Sequence, residues 1–309
     1  MFSKELKERV LISSVLAPII LFVALPWFDS PLYFGSVYFF FIILALAIFF
    51  EIVKMFEKKY FYIPKFKKTT FVIFVTISII VFSSISITDK FPLQNLALGE
   101  EPTVRDFGSI AMIILSLFLS LLILNLSLSA LNISKNNYLI SDSILSVSST
   151  YIVLSVGSML TLKLIDISNK TFFLAFTLGV GWFSEAGALV IGKTLGRIKL
   201  LFLASPNKTL EGTIGMLVLG IIGGILFKFI LDSVGYQSFI FIPSYTDAII
   251  LALVVVFLSF FGDIIESLMK RFFDTKDSGH IFLSLGGVFD VFDGVMLASF
   301  GVMLYYLVF

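Results

Sequence analysis

The chain has 309 residues, 58% of them hydrophobic and 14% charged, with a net charge of +1. An ordinary soluble domain is roughly a quarter charged; this composition excludes a water-soluble globule, and the near-zero net charge does not suggest a nucleic-acid binder. Cysteine is absent and His280 is the one histidine, which removes disulfides, thiolate metal sites, cysteine nucleophiles and multi-histidine centres.

The N-terminal segment Met1–Arg9 resembles the charged start of a signal peptide. The apolar run after it lacks a small-x-small cleavage site, so it is expected to be retained as a first span. Nine apolar stretches are long enough to cross a bilayer, at 10–28, 33–53, 70–88, 107–133, 139–162, 171–192, 212–231, 246–269 and 287–309. They are continuous rather than alternating, so helices are predicted and a barrel is not. The fold class expected is all-α, a polytopic integral membrane protein with about nine transmembrane helices. Placing the N-terminus inside puts 17 of the 22 basic residues on one face: Lys4, Lys7 and Arg9, then those of the even loops. The opposite loops hold Lys90, Arg105, Lys163 and Lys170, with Lys228 inside a span. That asymmetry predicts a cytoplasmic N-terminus and an external C-terminus.

Residues 1–170 read as an N-terminal transmembrane scaffold, largely lipid-facing, with Glu51 as the one charge near a span. The loop Lys54–Lys68 reads as a topology anchor; anionic headgroups, at about 1 kcal/mol per basic residue, are the alternative. Residues 171–309 read as the catalytic part. There Glu185, Asp263, Glu266, Asp290 and Asp293 lie in or at the ends of apolar spans. A carboxylate at that depth costs several kcal/mol unless paired, neutralised or hydrated, so these groups are expected to face one another, a cation or a water-filled cavity. Helix–helix pairing is the structural alternative.

Spacing adds detail. Asp263, Glu266 and Lys270 share one helix face, and Asp290 and Asp293 repeat the three-residue step just after Gly286-Gly287. Two helices with paired carboxylates can hold a hard divalent ion such as Mg²⁺ through oxygen ligands. Lys193, Arg197, Lys208, Lys270, Arg271 and Lys276 flank them, a composition suited to phosphoryl or nucleotidyl transfer. The segment Ser205-Pro206-Asn207-Lys208-Thr209-Leu210-Glu211-Gly212 opens the next span. It reads equally as an anion-binding helix start or as an ordinary loop capped by Thr209 or Ser205.

That segment resembles the S-P-x-K-T-x-E-G motif of phosphatidate cytidylyltransferases, the CDP-diacylglycerol synthases. Gly262-Asp263-x-x-Glu266, Lys270-Arg271, Lys276-Asp277-x-Gly279 and Gly286-Gly287-x-x-Asp290-x-x-Asp293 are similar to the same family's C-terminal signature. The resemblance covers roughly 180–300. It departs at Leu283, Leu285 and Val291, where the family has Pro or Gly, His and Arg, and at Glu185-Ala186-Gly187-Ala188-Leu189, where it has Asp first and Tyr last.

The resemblance implies cytidylyl transfer from CTP to phosphatidic acid in the bilayer, releasing pyrophosphate. It also implies a bacterial-type cytoplasmic membrane, a site facing the cytoplasm and opening sideways to lipid, and room for a homodimer. It assigns Asp263, Asp290 and Asp293 to Mg²⁺, with a second, monovalent cation such as K⁺ admitted, and Glu266 as ligand or supporting partner. Asp263, Glu266, Lys270, Arg271, Asp290 and Asp293 are the catalytic candidates; Ser205, Lys208, Thr209, Glu211, Lys276 and Asp277 are the substrate-binding ones. Arg271 and Lys276, rather than His280, are expected to replace the missing His and Arg. A cation-coupled transporter and a catalytically inactive relative are the alternatives.

Overall fold

The structure, a computed structural model, describes residues 31–60, 63, 65–85, 136–169, 172–200, 205–206, 208–234, 242, 244–282 and 286–308. Seven helices account for most of them: α1 Pro31–Lys59, α2 Lys65–Ile85, α3 Asn136–Asn169, α4 Phe173–Leu195, α5 Leu210–Ser233, α6 Tyr245–Phe272 and α7 Val288–Val308. They match seven of the nine expected stretches; 10–28 and 107–133 lie outside the described residues. Six are long and apolar enough to cross a membrane, while in α2 the apolar run is the shorter Lys68–Ile80. Continuous helix follows from the solvent, since hydrocarbon offers backbone amides no other partner.

Two helices occupy the middle. α7 packs on α6, α3, α4 and α1, and α3 packs on α7, α2, α1 and α4. The expectation of a lipid-facing first half therefore fails for α3, whose apolar window is 72% buried against 39% in α5 and α6. The physical reason lies in its hydroxyls. Ser148, Ser149, Ser155, Ser158 and Thr161 are buried, and small side chains let helices approach closely. The Ser158 hydroxyl donates to Leu154 O, 2.5 Å away, within its own helix. Lys163 is a second correction. It sits fully buried inside α3, its Nζ 5.4 Å from the Tyr33 ring centroid, rather than in an outer loop, because the helix continues to Asn169.

Glycines set the crossings that matter for the site. α4 and α5 meet backbone to backbone at Gly187 and Gly215, and at Gly192 and Gly212. α6 and α7 cross at Gly262, where a Cβ would lie 2.5 Å from the Asp293 carbonyl oxygen. The C-terminal ends of α1 and α6 adjoin: Lys59 Nζ lies 2.9 Å from Asp274 Oδ2. Both ends belong to loops that the charge pattern assigns to one face.

Candidate active site

The two described ends of the segment between α4 and α5 pair antiparallel at Lys199 and Thr209. The Leu200 amide donates to Lys208 O and the Leu210 amide to Ile198 O, both at 2.9 Å. Thr209 caps α5, its Oγ1 accepting from the Gly212 amide at 3.1 Å. Within the first turn, Glu211 reaches back and accepts from the amides of Arg197 at 3.0 Å and Ile198 at 3.2 Å. These two side chains fold the loop, a capping role that the sequence left open for Thr209. The result aims Lys208 across at α6, with Nζ 2.7 Å from Asp263 Oδ2 and 4.6 Å from the Phe260 ring centroid.

Asp263 stands nine residues before the C-terminal end of α6, about 14 Å along a helix rising 1.5 Å per residue. The close crossing at Gly262 brings Asp293 of α7 beside it. Asp263, Glu266 and Asp293 each offer an oxygen, all within 4.8 Å of one another. Glu266 is 1% exposed, and its Oε2 accepts no hydrogen bond from a described residue. Its Oε1 lies 2.7 Å from Lys270 Nζ, which also donates to Asp290 Oδ1 at 2.8 Å.

Asp290 has a different surrounding from the one its place in the expected metal set implies. Its Oδ2 accepts from the amides of Ser278 at 2.9 Å and Gly287 at 2.6 Å, and from the Ser278 hydroxyl at 2.9 Å. With Lys270 on Oδ1, both oxygens are already engaged. Glu266 therefore converges with Asp263 and Asp293, while Asp290 ties the 278–287 loop to Lys270.

A cavity of about 490 Å³ opens over this group. Asp263, Asp290 and Asp293 line it from α6 and α7, Glu185 from α4, and Lys193, Ser205, Lys208 and Thr209 from the α4 end and its loop. Lys193 shares α4 with Glu185, and Lys208 is paired with Asp263. Arg271, Lys276, Asp277 and His280 are exposed and do not line it. Arg271 donates to Thr275 O at 3.2 Å and borders a separate, almost wholly apolar groove of about 860 Å³ between α3 and α6. Of the family departures, Leu189 lines the cavity and Val291 is half-buried; Leu283 and Leu285 lie outside the described residues.

Glu51 is the residue that sequence reasoning passed over. It leaves α1 4% exposed and accepts from the amides of Val288 at 2.8 Å and Phe289 at 2.9 Å, the first turn of α7. A third contact, from the Ser278 hydroxyl at 3.0 Å, adjoins Asp290. The signal was present, since an acidic residue in an apolar stretch needs a partner wherever it occurs.

Comparison with known proteins places this geometry in a family. A model described as the cytidylyltransferase family matches residues 7–309. Curated relatives include the phosphatidate cytidylyltransferase of Bacillus subtilis (strain 168), 32% identical over 155 residues, which are 49% of this chain and 53% of that protein. That of Staphylococcus haemolyticus (strain JCSC1435) is 36% identical over 132 residues, 42% of this chain and 46% of its own. That of Staphylococcus aureus (strain COL) is 32% identical over 166 residues, 53% and 58% respectively. The matched region thus spans about half the length of these curated relatives. Because the family model extends over almost the whole chain, the protein belongs to the cytidylyltransferase family.

Proposed function

We propose that this multi-pass membrane protein transfers a cytidylyl group from CTP to phosphatidic acid, giving CDP-diacylglycerol and pyrophosphate. The observation that carries the reading is the convergence of Asp263, Glu266 and Asp293 within 4.8 Å, beside Lys208 and Lys270, in a chain of this family. Its setting in this reading is a bacterial inner membrane, with the cavity facing the cytoplasm, where CTP is found.

The residues fit a divalent cation. Three acceptor-only side chains converge beside the cavity, and the buried Glu266 Oε2 has no hydrogen-bond donor among the described residues; a buried polar atom left without a partner is costly. Asp263, Glu266 and Asp293 would hold Mg²⁺, which when bound supplies positive charge to oppose phosphate oxygens. A second, monovalent cation belongs to the same proposal.

The rest falls to the chain's own groups. In the reaction a phosphate oxygen of the lipid forms a bond to the α-phosphorus of CTP. The bond from that phosphorus to the bridging oxygen breaks, and pyrophosphate leaves with the electron pair. The nucleophile is already an anion, so no protein base is needed; the obstacle is bringing two anions together. Lys193 and Lys208 line the cavity, where they would receive the triphosphate, Lys208 from its place beside Asp263. Ser205 and the Thr209 region border the same cavity. Lys270, tied to Glu266 and Asp290, keeps two carboxylates in place rather than reaching for substrate. The apolar groove between α3 and α6, with Arg271 at its edge, suits the acyl chains of an anionic lipid.

The test is conversion of phosphatidic acid to CDP-diacylglycerol by purified protein, with CTP and Mg²⁺ each omitted in turn. A cation-coupled transporter would show neither this activity nor a CTP-dependent rise in thermal stability in detergent, the shift that ligand linkage requires of a CTP-binding protein.

A further inference from the structure

Glu51 lies in α1, far in sequence from every motif that marks the site. It is nevertheless joined to the site by a continuous chain of polar contacts. Its carboxylate receives the Val288 and Phe289 amides at 2.8 and 2.9 Å, donors that a helix start leaves unsatisfied. It also shares the Ser278 hydroxyl with Asp290, at 3.0 and 2.9 Å. Asp290 continues to Lys270 at 2.8 Å, and Lys270 to Glu266 at 2.7 Å.

Two glycines make room for it. A Cβ on Gly279 would lie 2.5 Å from Glu51 Oε1, and one on Gly287 would lie 2.6 Å from both carboxylate oxygens. Gly286 adopts φ +96°, a left-handed conformation that glycine takes without strain, and so turns the chain into α7. The tight Gly-Gly entry thus serves two carboxylates, Asp290 and Glu51, that accept from the successive amides of Gly287, Val288 and Phe289. Asp293 lies on the second turn of that helix, and its position relative to Asp263 and Glu266 depends on where α7 begins.

We infer that Glu51 is a positioning residue for the carboxylate group, fixing the start of α7, and through Ser278, Asp290 and Lys270 the side chain of Glu266. This rests on the reading of Asp263, Glu266 and Asp293 as a divalent-cation site. Glu51→Gln keeps the shape but replaces one acceptor oxygen by an NH₂ that can only donate. At least one of the Val288 amide, the Phe289 amide and the Ser278 hydroxyl then loses its acceptor.

A matched control exists elsewhere in the fold. Asp166 of α3 holds the start of α4 in the same manner, accepting from the amides of Phe173 at 2.8 Å and Leu174 at 2.9 Å. That start is twelve residues from Glu185, about 18 Å along the helix.

The experiment is direct Mn²⁺ binding in detergent, followed by electron paramagnetic resonance, with a melting curve in the absence of metal. Wild type, Glu51→Gln, Ser278→Ala and Asp166→Asn are compared. Glu51→Gln and Asp166→Asn should both lower the melting temperature. Glu51→Gln should raise the Mn²⁺ dissociation constant at least tenfold and Ser278→Ala at least threefold, whereas Asp166→Asn should leave it within twofold. Equal Mn²⁺ affinity in Glu51→Gln and wild type, or an equal loss in Asp166→Asn, overturns the inference. If Glu51→Gln does not fold, Ser278→Ala decides alone, and wild-type affinity there refutes the chain. A wild-type protein that binds no Mn²⁺ overturns the cation site itself, an outcome distinct from a bound ion indifferent to Glu51.

Discussion

Lys270 is the residue whose removal the structure prices most clearly. Its Nζ stands 2.7 Å from Glu266 Oε1 and 2.8 Å from Asp290 Oδ1, with side-chain exposures of 15%, 1% and 8% for the three. Lys270→Met keeps the length and the apolar stem but leaves two buried carboxylates side by side without their cation. Breaking a buried pair by deleting one partner costs about 3–5 kcal/mol, because the remaining charge is uncompensated. At about 2–4 °C per kcal/mol for larger domains, the melting temperature in detergent should fall by about 6–20 °C. Adding Glu266→Gln should recover part of that fall, since Glu266 then carries no unpaired charge. The more accessible pair Lys208–Asp263, with exposures of 18% and 43%, supplies the contrast: Lys208→Met should cost less, about 1 kcal/mol. Melting curves of the four proteins settle it. A Lys270→Met variant melting within 2 °C of wild type, or no less stable than Lys208→Met, would refute the bridging role.

Asp263→Asn and Asp293→Asn should each lower turnover more than tenfold, about 1.4 kcal/mol of barrier, in protein that still melts cooperatively; a milder loss in either would remove that residue from the cation site. Lys208→Ala should raise the KM for CTP while leaving the melting temperature nearly unchanged, and unaltered kinetics would reduce its loop to capping alone. Arg271→Ala and His280→Ala compare the end of α6 with the segment that follows it. His280→Ala should be nearly silent, whereas Arg271→Ala should weaken use of phosphatidic acid and leave the KM for CTP unchanged, as read from initial rates with each substrate varied. A raised KM for CTP in Arg271→Ala would place that guanidinium at the nucleotide after all.

Much of the fold was legible because the bilayer leaves so few choices. A run such as 246–269 has to be helical in hydrocarbon, and its flanking Lys270 and Arg271 mark an end. The three-residue step from Asp263 to Glu266 likewise puts both carboxylates on one helix face. The glycines beside them carried a second message that spacing alone does not convey. Gly262 is where α6 and α7 touch, so the residue that precedes Asp263 in the motif is what brings Asp293 within reach. Thr209 and Glu211 were legible as a motif but not as a mechanism, since only the folded loop reveals that both answer backbone amides.

What escaped the sequence reading was every interaction that joins the first half to the second. Periodicity describes one helix at a time, and nothing in α1 says that Glu51 will meet Val288 rather than lipid headgroups. The physical rule that flagged Asp263 applies to Glu51 without change: a carboxylate in an apolar helix must find donors. It applies equally to Asp166, which falls between the apolar stretches ending at 162 and beginning at 171 and carries no motif to mark it. In the structure both find the same kind of donor, the free amides at the start of another helix. These caps link α3 to α4 and α1 to α7, so the first half does more than surround the second. It sets where two of the helices lining the cavity begin.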